Sequence, residues 1–173
     1  MWSFFAAERA RTGGVAAPAA GKAGMNLRKM LSEEAVSLDL KGGTKAEILN
    51  ELMDLLVASG QVRDRKSALK AIEEREAKMS TGMQNGLALP HAKSDSVDRL
   101  VVAIGIKRDG VDFDSVDKAP SHIFVMTLSP LNRTGPHIQF LAEIGRLISQ
   151  PEVRQRVLTA TTAAGVIAAL STE

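Results

Sequence analysis

Leu100-Val101-Val102-Ala103-Ile104-Gly105-Ile106 is almost unbroken in its apolar, β-branched character, and Ser121-His122-Ile123-Phe124-Val125-Met126-Thr127-Leu128 is a second such run. A strand with one wet face alternates polar and apolar residues, whereas a run without alternation suits a strand covered by helices on both faces. Between the two runs Asp109-Gly110 predicts a turn, with a short extended piece at 111–113, and Pro120 and Pro130 bracket the second run. Upstream, a short helical segment at 27–35 and a strand at 36–40 precede a capping box, Thr44 with Glu47, ahead of Ile48, Leu52, Leu55 and Leu56. Gly60 stops that helix, and Asp64 caps a second one running to Met79. Downstream, a third long helix opens near Thr134 with Pro136 in its first turn, followed by shorter helices at 151–160 and 162–170. Strands and helices alternate along the chain, which predicts an α/β fold.

At 173 residues and 45% hydrophobic, the chain is long and apolar enough to bury a substantial core as a single domain. Its formal charge of +2 comes from the first 25 residues, where Arg9, Arg11 and Lys22 face only Glu8, so the remainder is neutral on balance. With no Lys/Arg run, one Trp and no Tyr, that remainder offers little to a phosphate backbone or to exposed bases, and no nucleic-acid partner is predicted. The absence of cysteine excludes disulfides and thiolate metal sites and fits a cytoplasmic protein. The three histidines form no H-x-x-x-H pair, so neither a metal nor another cofactor is predicted. Apolar runs fall short of the roughly 18 residues needed for a bilayer span, which predicts no direct membrane insertion. Residues 1–24 carry Gly13, Gly14, Gly21, Gly24 and Pro18 without apolar periodicity; they read as a flexible tail before a domain at 25–173, with Met25 an alternative start.

The chemistry-bearing candidates lie off the central runs. In Ser80-Thr81-Gly82-Met83-Gln84-Asn85-Gly86-Leu87-Ala88-Leu89-Pro90-His91, a short strand at 87–89 delivers the His91 imidazole to a sheet edge, and Gly82 and Gly86 let the backbone turn. A histidine so placed is either a structural hydrogen-bonding residue or a reacting one. Arg75 falls on the apolar stripe Ala68, Ile72, Arg75, Met79 of its helix, where it either snorkels, pairs with Glu74 or Glu76, or binds an anion. His137 opens the stripe continued by Leu141, Ile144 and Ile148, in the first turn of a helix whose positive end favours an anion; the alternative is a core histidine bonded to a carbonyl. His122, at the start of a strand, reads as structural or surface.

Taken in order, Glu74-Arg75-Glu76, Ser80-Thr81-Gly82, Leu89-Pro90-His91 and His137-Ile138-Gln139-Phe140-Leu141-Ala142 resemble the enzyme IIA domain of the fructose/mannitol class of the bacterial phosphoenolpyruvate:sugar phosphotransferase system, over residues 27–170. The resemblance implies a mixed sheet of about five strands flanked by helices, the phosphotransferase/anion transport protein-like fold. It also implies a phosphocarrier in which His91 accepts a phosphoryl group from the phosphohistidine of HPr, without a cofactor. A neutral imidazole nitrogen is a competent nucleophile at physiological pH and a good leaving group once protonated. Arg75 and His137 map onto the residues that stabilise the transferring group, and Thr81 and Ser80 onto hydroxyls that contact it or cap the turn. Ala92 departs from the glycine often found after the reacting histidine. The implied partners are HPr and either a cognate enzyme IIB or a regulatory target. The 80–91 segment and Asp117-Lys118-Ala119-Pro120 look more like the nitrogen-regulatory subgroup, so a regulatory role is expected, with sugar uptake as the alternative and a non-catalytic binding module as a third reading.

Overall fold

The computed structural model describes residues 25–171, so the expected tail at 1–24 lies outside the described residues. In chain order the elements are α1 (Leu27–Met30), a 3-10 turn (Glu33–Ala35), β1 (Val36–Ser37), α2 (Lys45–Ala58), α3 (Arg65–Lys78), β2 (Leu87–Ala88), β3 (His91–Lys93), β4 (Val101–Val111), β5 (Ser121–Ser129), α4 (Thr134–Ser149), α5 (Pro151–Thr159) and α6 (Ala163–Leu170). The two apolar runs became β4 and β5, which pair antiparallel at the centre of a five-stranded sheet; β1, β2 and β3 add to them in parallel. The sheet is therefore mixed, as expected.

Both faces of β4 up to Ile106, and of nearly all of β5, are buried because each face meets its own set of helices. Val101, Ala103, Phe124, Met126 and Leu128 point to α2 and α3, packing with Leu52, Leu56 and Ile72. Val102, Ile104, Ile106, Ile123 and Val125 point the other way, to Phe140, Ile144, Val157, Val166 and Leu170 on α4, α5 and α6. The caps hold as read: Thr44 Oγ1 accepts from Glu47 N–H while the Glu47 carboxylate accepts from Thr44 N–H, and the Asp64 side chain accepts from Ser67 N–H.

Several boundaries differ from the sequence reading. Asp109-Gly110 does not reverse the chain: β4 runs through it to Val111, with a shift of register against β5 between Ile106 and Val111 and Gly110 at φ 79°. A glycine with positive φ serves a β-bulge as well as a turn, and the polar composition does not distinguish them. The reversal comes later, through Asp114 at φ 53° and Lys118 at φ 60°. The helix expected at 27–35 breaks at Leu31 and Ser32, which are extended, and the strand expected at 36–40 forms a ladder only at Val36 and Ser37, with Leu40 N–H still donating to the Ile106 carbonyl of β4 at 2.8 Å. Leu40 instead turns into the core and lies over Gly105, where an added methyl would sit 2.5 Å from Leu40 Cδ1.

Replacing Gly105 by Ala overpacks this fully buried contact, and the expected loss is about 1–3 kcal/mol of stability. Urea unfolding should show a lower midpoint with an unchanged slope.

Candidate functional site

The site is built on a broken edge strand. β2 pairs with Ile123 and Phe124 of β5, β3 pairs with Thr127, Leu128 and Ser129 farther along it, and Leu89-Pro90 lies between. The carbonyl of Pro90 still accepts from Thr127 N–H at 2.9 Å, so the gap keeps its place in the sheet. Residues 81–83 double back on β2: Leu89 N–H donates to Thr81 O at 3.1 Å and Met83 N–H to Leu87 O at 2.7 Å. The reversal uses Asn85 at φ 62° and Gly86 at φ 74°, the pair that a type I′ hairpin demands. His91 thus opens a second short strand rather than ending the first. Its register partner is Thr127.

Within this frame the His91 ring has a defined tautomer. Nδ1 lies 2.7 Å from the carbonyl oxygen of Leu89, which can only accept, so Nδ1 carries the proton and Nε2 keeps its lone pair. Partial burial pushes the ring's pKa down, and the Arg75 charge adds to this against the opposing pull of the Leu89 carbonyl and Glu76. The free base is the form favoured at neutral pH. Edge-on to His91, at 5.5 Å between ring centres and 85° between planes, stands His137. Only 4% exposed, it has no hydrogen-bond partner at Nε2, and burial, helped by His91 and Lys93, lowers its pKa to about 4. A core histidine satisfied by a carbonyl through that atom is not what the fold built.

The stripe of α3 is Ala68, Ile72 and Glu76, at strict four-residue spacing; Met79 is 68% exposed. Arg75 is therefore half-buried beside the stripe rather than on it. It pairs with neither Glu74 nor Glu76, and donates from Nη1 to the Met79 carbonyl at 2.9 Å. Glu76, 7% exposed, takes the inward position because its charge is matched there. Its carboxylate accepts from Lys45 Nζ at 2.8 Å, Thr81 N–H at 2.8 Å and Thr81 Oγ1 at 2.6 Å. Lys45 also lies 4.8 Å from the centre of the Phe113 ring. Of the two roles expected for Ser80 and Thr81, phosphate contact or capping of the turn, these bonds fit the second. The Thr81 hydroxyl proton goes to Glu76 and that of Ser80 to the Phe113 carbonyl at 2.7 Å, so both hydroxyls brace the turn.

Two residues escaped the sequence reading. Glu76 did so because hydrophobic periodicity treats a carboxylate as outward-facing. Lys93 lies two residues past His91, on the same side of β3, and donates to Thr134 Oγ1 at the start of α4. Counting by two from His91 finds it. His122 is structural, its Nδ1 lying 3.0 Å from the Arg108 carbonyl and 3.2 Å from that of Lys107, beside the bulge. Among the described residues no group of three or more His, Asp or Glu side chains is placed to hold a metal, and no helix is long and apolar enough to cross a membrane.

The family model for "Phosphoenolpyruvate-dependent sugar phosphotransferase system, EIIA 2" matches residues 29–173. The PTS system fructose-specific EIIA component of Haloferax volcanii is 37% identical over 127 residues, covering 73% of this chain and 82% of that protein. The PTS system fructose-specific EIIABC component of Bacillus subtilis is 30% identical over 143 residues, covering 83% of this chain; the chain spans only 22% of the length of that larger protein. Among solved structures, the nitrogen regulatory protein IIA-Ntr from Neisseria meningitidis shares the fold at a TM-score of 0.74 and 28% identity, covering 83% of this chain and 98% of that one.

Glu76→Ala leaves Lys45 and the Thr81 amide without their shared acceptor, and a stability loss of about 2–4 kcal/mol is expected from chemical denaturation. For His137, the unfolded ring takes up a proton near its ordinary 6.5 while the folded ring resists to about 4. The unfolded state then binds more protons across that window, so stability is full above pH 6.5 and falls on acidification towards 4. An NMR titration should place the His137 midpoint far below that of a free imidazole. His137→Gln should flatten the stability loss between pH 6.5 and 4.

Proposed function

The chain belongs to the phosphoenolpyruvate-dependent sugar phosphotransferase system EIIA 2 family, and from that premise we propose that His91 Nε2 accepts a phosphoryl group from the phosphohistidine of the carrier HPr and passes it on. The observation that carries this reading is the Nδ1–H of His91 held by the Leu89 carbonyl, which directs the lone pair of Nε2 outward beside the unpartnered His137. In the transfer, the P–N bond to the donor breaks as the bond from Nε2 to phosphorus forms. The donor imidazole, protonated on its other ring nitrogen, leaves as a neutral base, and no proton need be lost from His91. The positive charge that develops on the His91 ring is shared with the Leu89 carbonyl through Nδ1–H. Onward transfer runs the same steps in reverse, with Nε2 as the leaving group.

Arg75 and His137 serve the phosphoryl oxygens. The Arg75 charge is already felt at His91, and its guanidinium spends one N–H on the Met79 carbonyl, leaving the rest of its fork to bind oxygen. A neutral His137 with its proton on Nε2 donates without adding a further positive charge that would bind the phosphoryl group too tightly to release. This balance suits a reversible relay, in which the phosphoryl group must be held but not trapped. The reading carries with it a cytoplasmic protein whose working domain is residues 25–173.

The receiving partner is a regulatory target or an enzyme IIB. The segments at 80–91 and 117–120 and the fold shared with the Neisseria regulatory protein favour regulation, where charge on phosphohistidine creates or blocks an interface. The higher identity to the Haloferax fructose-specific component favours sugar uptake as the second reading. Rapid loss of label from the phosphorylated protein to a purified fructose-class enzyme IIB would select uptake; a phosphoprotein stable to IIB would select regulation.

Intact-protein mass spectrometry after incubation with phosphoenolpyruvate, enzyme I and HPr should show one added phosphoryl group on wild type and none on His91→Ala, with both proteins folded. An unmodified wild type beside phosphorylated HPr taken from the same organism, so that a mismatched donor is not the cause, would instead mean a binding module that has lost the reaction. Arg75→Ala should slow uptake about 10–100-fold, as expected for loss of a charge-assisted hydrogen bond, while shifting stability far less.

A further inference from the structure

The first turn of α4 has the makings of an anion seat beyond the contribution of His137. Arg133, at its N-cap, supplies no side-chain cap, so the amides of Thr134 and Gly135 leave the helix uncapped, and Pro136 has no N–H. This is the positive end of a 16-residue helix. A helix end alone would mean little. Here the same turn carries His137, 4% exposed, with Nε2 buried and unpartnered beside His91. Lys93 brings a cation to this turn from the same side of β3 as His91, and its charge is felt at His137. No carboxylate neutralises it among the described residues. Its partner, the Thr134 hydroxyl, is neutral and weakly held compared with a phosphoryl oxygen. The carboxylate that acts on His91, Glu76, is itself paired with Lys45.

We propose that Lys93 and the uncapped first turn of α4, together with His137, form the seat that holds the phosphoryl group on His91, with Lys93 exchanging the Thr134 hydroxyl for a phosphoryl oxygen. The inference deepens the phosphocarrier reading and rests on it. A flexible ammonium suits the task better than a fixed one, because it follows the group as it arrives and releases it to Thr134 as the group departs. The competing role for Lys93 is a strap that ties β3 to α4 through Thr134, and charge is what separates the two.

Inorganic phosphate is the probe for the seat, titrated into the full chain and followed by NMR at the Thr134 and Gly135 amides and the His137 ring. Saturable shifts are expected in wild type, with binding weakened about 10–100-fold in Lys93→Met and Lys93→Gln and within a few-fold of wild type in Lys93→Arg. Glutamine can still bond Thr134 but carries no charge. If Lys93→Gln binds phosphate like wild type, or wild type shows no saturable shifts at these positions, the seat is overturned. Phosphoryl uptake from phosphoenolpyruvate, enzyme I and HPr gives the second arm. Uptake on His91 at equal rates in wild type and Lys93→Met keeps the phosphocarrier reading and removes the seat. Phosphate binding that depends on Lys93, with His91 never phosphorylated, removes the phosphocarrier reading and leaves an anion site without the role assigned to it.

Discussion

The Glu76 carboxylate is the constraint on which the site depends. It sits in the last turn of α3, almost without solvent, and binds three donors from two other parts of the chain: Lys45 at the start of α2, and the amide and hydroxyl of Thr81 where the chain turns back towards the sheet. A buried charge is tolerable only when its partners are close and its lone pairs are filled, and removal of one partner leaves the others stranded. Those bonds fix where α3 ends and where the 81–83 segment begins. The position of Arg75 follows from the first and the approach to His91 from the second. Lys45, spread between Glu76, Asp114 and the Phe113 ring, extends the same constraint to the loop before β5.

Much of the fold was legible because it rests on local rules. Unalternating apolar runs became β4 and β5, and Thr44, Glu47 and Asp64 capped the helices they precede. The misread segments share a different cause: their conformation is decided by partners far away in sequence. Asp109-Gly110 has turn chemistry, yet pairing with β5 resumes beyond it at Val111, so the pair makes a bulge within β4 and not a reversal. Leu40 has strand character, but the bare backbone of Gly105 gives it a place in the core. On α3 a purely apolar count chose Arg75 and Met79, whereas ion pairing selected Glu76.

That His91 and His137 belong to one site was legible as well, though through motif order rather than geometry. Nothing in the sequence says that the Nδ1 proton of His91 is committed to Leu89, or that His137 would be left without a partner inside the protein. For Ser80 and Thr81 the sequence left phosphate contact and turn capping open, and their hydroxyls here brace the frame. Lys93 was recoverable from strand periodicity alone. That periodicity applies only once His91 is the beginning of a strand and not the end of one.

The broken strand that carries His91 also bears on solubility. The outer edge of a sheet offers unpaired amides and carbonyls to any other strand, a route to aggregation that proteins must block. Here the 81–83 segment pairs along β2, Pro90 supplies no donor in the gap, and α3 packs against β3. At the opposite edge, β1 has only two residues to offer. The same backbone that brings the His91 imidazole to the rim of the sheet therefore denies that rim to another strand, so the ring can be exposed there without an open sheet edge beside it.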